Sequence, residues 1–88
     1  MRTKKVRVTN PAGLHARAAA RLVEVASEYQ SIIRVGQERM VDGKSILSLM
    51  MLAAVKGTEL NIEAEGPDEV EAINALRELI KGGFGEID

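Results

Sequence analysis

KKVRVTNPAGLHARAAARLVEVASEY, residues 4–29, contains the change of period that decides the fold. From Lys4 to Thr9 the pattern alternates, with Val6 and Val8 on one face and Lys5 and Arg7 on the other. That two-residue period is the mark of a half-buried strand. Asn10-Pro11-Ala12-Gly13 is a turn by composition. From Ala16 the period lengthens: Ala18, Leu22, Val25, Ala26 and Tyr29 recur at helical spacing, with Arg21, Glu24 and Glu28 outside, which predicts a helix over 16–28. The only histidine, His15, stands where strand gives way to helix.

Working outward, Ser31 to Val35 and Arg39 to Val41 read as two short strands forming a hairpin about Gly36-Gln37. Asp42-Gly43-Lys44-Ser45 breaks the sheet; Ser45 is a good N-cap, followed by the apolar residues Ile46, Leu47, Leu49, Met50 and Leu52 of a short helix. Lys56-Gly57 closes that helix, and Glu59 to Glu65 alternates as a fourth strand with Leu60, Ile62 and Ala64 inward. Gly66-Pro67-Asp68 starts a last helix whose stripe is Val70, Ile73, Leu76 and Ile80; it ends at Gly82-Gly83, and a loose tail is expected after it. The order β-α-β-β-α-β-α predicts one α+β domain over residues 1–88, helices on one sheet face and Lys5, Arg7, Glu63 and Glu65 on the other.

Composition narrows the function. Tyr29 and Phe84 are the only aromatic residues, so the core is aliphatic and base stacking on an aromatic platform is not expected. Twelve basic and thirteen acidic residues nearly cancel, which argues against broad electrostatic binding of nucleic acid. The charge is uneven, with Arg2, Lys4, Lys5, Arg7, Arg17 and Arg21 in an acid-free first quarter and an acidic last third. Such polarity steers an acidic partner toward the His15 end. The absence of cysteine excludes disulfide and thiolate chemistry and fits a cytoplasmic location. No signal peptide is read at the N-terminus, and Leu47 to Val55 is far shorter than the ~20 residues of a membrane helix. No metal or cofactor is expected, because one histidine and no cysteine leave no zinc set.

His15 carries the chemistry. A helix start presents unpaired N–H groups and a positive dipole end, which together bind anions. With His15 at the N-cap, the amides of Ala16, Arg17 and Ala18 would face a phosphoryl group, and the Arg17 guanidinium would add a charge-assisted contact. Histidine's reference pKa of ~6.5 leaves the imidazole available as a nucleophile near neutral pH. A lone histidine in a domain of this size is, however, more often a surface residue or an ordinary cap. The turn, the helix start and Arg17 bring the two readings into balance. No second catalytic group is apparent, so a self-sufficient enzyme is hard to assemble from these residues.

Gly13-Leu14-His15-Ala16-Arg17, with Gly43-Lys44-Ser45-Ile46 about thirty residues later, resembles HPr, the phosphocarrier family of the bacterial phosphoenolpyruvate-dependent sugar phosphotransferase system. Length, element order and the spacing of both motifs extend the likeness over nearly the whole chain. The resemblance implies an open-faced β-sandwich, a four-stranded antiparallel sheet with three helices on one face. It implies that His15 takes a phosphoryl group on Nδ1 from phosphoenolpyruvate-charged Enzyme I and passes it to a histidine of a sugar-specific enzyme IIA. Arg17 would then support the phosphoryl oxygens, and Ser45 would be the target of a dedicated ATP-dependent HPr kinase/phosphorylase. A phosphate at a helix N-cap meets favourable N–H groups and places negative charge beside an apolar surface.

By the same resemblance, Ala16, Arg17, Ala20, Arg21, Ile46, Leu47, Ser48, Met50 and Met51 form the docking patch, with Leu47 as an exposed knob and Leu49 and Leu52 inside. Methionine suits a surface that repacks against several partners. One departure stands out: the family usually has proline after the arginine, and this chain has Ala18. The departure favours a regulatory relative of the nitrogen-related branch as the alternative. A plain interaction module and a weak RNA-binding role through Arg2, Lys4, Lys5 and Arg7 are the other rivals. A monomer is expected.

Overall fold

The computed structural model describes residues 1–85. In chain order its elements are β1 (Arg2–Arg7), α1 (Ala16–Ala26), β2 (Ile32–Gly36), β3 (Met40–Asp42), α2 (Ile46–Met50), β4 (Glu59–Glu65), α3 (Glu69–Lys81) and a 3-10 turn at Gly83–Gly85. The strands form one antiparallel sheet in the order β1-β4-β2-β3. Val6 lies opposite Leu60, and Val35 lies opposite both Ile62 and Val41. These residues turn one apolar face toward the helices, as a two-residue period requires. Leu22, Leu49, Leu76 and Ile80 are fully buried over that face.

The helices therefore lie on one side, the α+β open-faced arrangement that the sequence predicts. The other face carries exposed Lys5, Arg7 and Glu65 and half-buried Glu63. Arg34 lies among them, with Nη1 3.7 Å from Glu63 and 3.9 Å from Glu65. Among the described residues, no helix is long and apolar enough to cross a membrane.

Boundaries shift where backbone groups find other partners. β1 ends at Arg7 rather than Thr9: the Val8 N–H donates to the Thr58 carbonyl and Thr9 Oγ1 donates to the Lys81 carbonyl. α1 stops at Ala26 rather than 28, because Glu28 and Tyr29 donate to Val25 and Ala26 in a tighter i→i−3 turn. β2 and β3 each sit one residue later than the hydrophobic pattern suggests.

Two expectations about the last third are overturned. Val70 is exposed and Ala72 takes its place in the stripe with Ile73, Leu76 and Ile80. At 100° per residue, Val70 stands about 100° round the helix from the centre of that stripe. The chain after Gly82-Gly83 is not loose through Gly85. Gly83, Phe84 and Gly85 have φ of 71°, 60° and 74°, a left-handed turn that buries the only phenylalanine. Residues 86–88 of the expected tail lie outside the described residues.

Asp68 is the N-cap of α3, yet its carboxylate does not cap its own helix. It accepts from the backbone N–H of Gln30 at 2.9 Å and of Ser31 at 3.0 Å, and from the buried Ser31 hydroxyl. These bonds, the Ser31 hydroxyl foremost, hold the carboxyl below its ordinary range and tie the start of α3 to the start of β2. Glu69, next along, is lowered mainly by accepting from the Gly66 N–H, and then by the N-terminal ammonium.

Candidate functional site

The turn before α1 is held by a small set of hydrogen bonds. The Gly13 N–H donates to the Asn10 carbonyl at 3.1 Å, and Asn10 Nδ2 donates to the Gly13 carbonyl at 2.8 Å. Gly13 has φ +68°, and a Cβ built there would lie 2.4 Å from the Ala54 carbonyl oxygen, so only glycine fits. The Leu14 N–H donates to that same oxygen at 2.8 Å, and the Leu14 side chain is buried. The turn that delivers His15 is thus fastened to the segment joining α2 to β4.

His15 is the N-cap of α1, with extended backbone (φ −81°, ψ −177°) and a carbonyl that accepts from the Ala19 N–H at 2.8 Å. Its Nδ1 accepts from the Arg17 backbone N–H at 3.2 Å. A ring nitrogen that accepts carries its lone pair there, so the proton of the neutral imidazole sits on Nε2. Nδ1 is thereby the ring atom whose lone pair meets a first-turn amide of α1. Ala16 and Ala18 belong to the same first turn, whose N–H groups have no i−4 carbonyl to bond. No acidic residue lies in that turn to oppose an anion. The Arg17 side chain is exposed and makes no ion pair among the described residues, whereas Arg21 Nη1 pairs with Glu24.

Ser45 caps α2 as its position suggests, with Oγ accepting from the Ser48 N–H at 3.3 Å. The preceding Lys44 is anchored twice: its N–H donates to Asp42 Oδ1 at 2.9 Å and its Nζ to the Tyr29 carbonyl at 2.7 Å. Lys44 thus links the start of α2 to the end of α1.

Of the candidate docking residues, Ala16, Arg17, Ala20, Arg21, Ile46, Leu47, Met50 and Met51 are exposed and Ser48 is half-buried. Leu47 and Met51 are 76% and 81% exposed, large apolar side chains that the fold leaves in water. Leu49 is fully buried, and Leu52 is half-buried against the core rather than wholly inside it. A shallow cleft of about 110 Å³ opens beside Met51 and Leu52, lined also by Ser48, Arg39 and Val41. The sequence gives no sign of that cleft, which depends on β3 meeting α2. Asn10 and the Ala54 carbonyl are also missed: Asn10 reads only as a turn residue, and a backbone carbonyl leaves no sequence signal.

Fold and site together define a small α+β domain that presents one histidine at a helix start. The family described as PTS HPr component phosphorylation site matches residues 2–82. The chain is 54% identical over 84 residues to phosphocarrier protein HPr of Pseudomonas aeruginosa, covering 93% of each. A crystal structure of HPr-C-His from Thermoanaerobacter tengcongensis superposes with a TM-score of 0.94 at 42% identity, covering 100% of both chains. A crystal structure of an HPr dimer from the same organism gives a TM-score of 0.76, covering 98% of this chain and 100% of that one. The chain belongs to the HPr family, the phosphocarriers of the phosphotransferase system.

Proposed function

We propose that His15 Nδ1 accepts a phosphoryl group from phosphoenolpyruvate-charged Enzyme I and passes it to a histidine of enzyme IIA during sugar uptake. The observation that carries this reading is the hydrogen bond from the Arg17 N–H to Nδ1. It fixes the tautomer and points the lone pair at the amides that would receive the phosphoryl oxygens. In the forward step the Nδ1 lone pair bonds phosphorus as the donor's P–N bond breaks, and that electron pair returns to the donor imidazole. The Arg17 N–H then transfers from the ring nitrogen to a phosphoryl oxygen, joined by the Ala16 and Ala18 amides and the Arg17 guanidinium. Passing the group on reverses these changes. The chain acts as a carrier within a relay, as a monomeric, single-domain cytoplasmic protein.

Partners dock over Ala16, Arg17, Ala20, Arg21, Ile46, Leu47, Ser48, Met50 and Met51, all exposed except the half-buried Ser48. A second reading, favoured by Ala18 and by the half-buried cap Ser45, is a regulatory relative that controls partner proteins without feeding transport. An HPr kinase/phosphorylase acting on Ser45 would add about −1.5 to −2 charges at the edge of the apolar patch and repel an acidic partner.

The test is intact-mass analysis after incubation with phosphoenolpyruvate, magnesium and the cognate Enzyme I, beside His15→Ala. One acid-labile phosphoryl addition in the wild type, absent from the variant, is expected. An unmodified wild type would remove the carrier reading and leave a binding module. Genome neighbours then separate sugar transport from nitrogen regulation.

A further inference from the structure

Asn10 is 3% exposed, and with Ser31 it is one of two buried polar side chains among the described residues. Ser31 is accounted for by Asp68. Asn10 lies five residues before His15, and its Nδ2 donates to the Gly13 carbonyl at 2.8 Å. The N–H at the other end of that same peptide unit belongs to Leu14, and it donates to the Ala54 carbonyl at 2.8 Å. The Gly13–Leu14 peptide plane is therefore gripped at both ends. It is also the last peptide unit before His15 that a glycine makes soft, since Gly13 has no Cβ and φ +68°. Rotation of this plane would swing the His15 backbone and draw Nδ1 away from the Arg17 amide.

We propose that Asn10 is a positioning residue for phosphoryl transfer, locking the Gly13–Leu14 peptide so that His15 Nδ1 stays on the first turn of α1. Reacting atoms must meet closely, and a displacement of about 1 Å costs on the order of a hundredfold in rate. Asn10 is buried and apart from the exposed docking residues, so it acts on the rate of transfer and not on the encounter. The proposal rests on His15 being the phosphoryl acceptor.

The experiment uses the full chain with Asn10→Asp and Asn10→Ala. Aspartate keeps the shape but, when ionised, offers only acceptors to a carbonyl. Single-turnover phosphorylation by charged Enzyme I is followed at saturating protein, beside the Kd for Enzyme I. The expected result is a rate at least tenfold lower in both variants with Kd within twofold of wild type. The ¹⁵N shifts of the His15 ring should move toward mixed tautomers, and the Leu14 amide should exchange faster. A rate within twofold of wild type in either variant would overturn the proposal.

Two further readings keep the test decisive. If the wild type accepts no phosphoryl group, the carrier reading fails on its own. Ring shifts and Leu14 exchange unchanged in the variants would then overturn the positioning role, whereas the expected changes would support it. If neither variant folds, the Asn10 side-chain amide in the wild type decides: Nδ2 protons that exchange freely with water would refute the grip on the Gly13 carbonyl, and slowly exchanging ones would support it.

Discussion

Ala53 follows α2 with φ +51°, a left-handed conformation that alanine adopts only at a cost. Crowding of Cβ against the following carbonyl disfavours it by about 1–2 kcal/mol. Glycine at this position would escape that cost but would lose about 0.5–1 kcal/mol in backbone entropy on folding. Ala53 is exposed, so its methyl contributes little packing to set against the exchange. Ala53→Gly should therefore stabilise the protein by roughly 0.5–1 kcal/mol, a rise in Tm of roughly 2–8 °C for a domain of this size. The companion Ala20→Gly should do the reverse. Ala20 is exposed within α1, where glycine costs about 1 kcal/mol. The assay is thermal unfolding by calorimetry, with urea unfolding as a check on ΔG. A Tm for Ala53→Gly equal to or below wild type would refute the reasoning, because the left-handed cost would then be absent. The phosphorylation rate should stay within twofold of wild type, since the Ala54 carbonyl that holds Leu14 is a backbone group the exchange does not remove.

Asp68→Asn should lower stability near pH 6, measured by urea unfolding across pH. The Ser31 hydroxyl and Gln30 N–H hold Asp68 below its ordinary value of 3.8, so its contribution is present above that value and is lost as pH falls through the lowered folded value. The gap between variant and wild type should therefore begin to narrow below about pH 4 and close only once pH has passed below the lowered folded value; a gap that does not narrow would refute the assignment. Phe84→Ala should cost about 3–5 kcal/mol in calorimetric stability, because the ring is buried and its removal leaves a cavity. Leu47→Asp should change stability by less than about 0.5 kcal/mol, its side chain being 76% exposed, while weakening Enzyme I binding at least tenfold by calorimetric titration.

The sequence makes the architecture legible where hydrophobic period and burial coincide. β4 alternates without interruption and its limits, Glu59–Glu65, match the observed strand. Val70 misleads because a three-residue step places it near Ile73 in sequence pattern, while the direction of the buried stripe is set by Leu76, Ile80 and Ala72 against the sheet. Phe84 is illegible for a different reason. A Gly-Phe-Gly run reads as a chain end, and nothing local shows that three left-handed residues turn the ring inward. The histidine's place at the helix start follows from the strand-to-helix change of period. Its anchor does not, because the Ala54 carbonyl lies far along the chain and any residue could supply it.

This difference bears on how the site tolerates Ala18. The groups that orient His15 include backbone atoms, the Arg17 amide on Nδ1 and the Ala54 carbonyl on Leu14, together with the Asn10 side-chain amide on the Gly13 carbonyl. Proline at position 18 would pre-set φ in the first turn and remove one N–H. Alanine keeps that N–H, and its buried methyl packs into the core at 1% exposure. The turn that precedes α1 is held from outside the helix, by the bond from the Leu14 N–H to the Ala54 carbonyl. The proposed docking face consists instead of side chains that the fold leaves exposed, Leu47 and Met51 above all. Substitutions on the docking face should therefore alter partner choice without disturbing His15, whereas loosening the Gly13–Leu14 peptide should disturb His15 without altering partner choice.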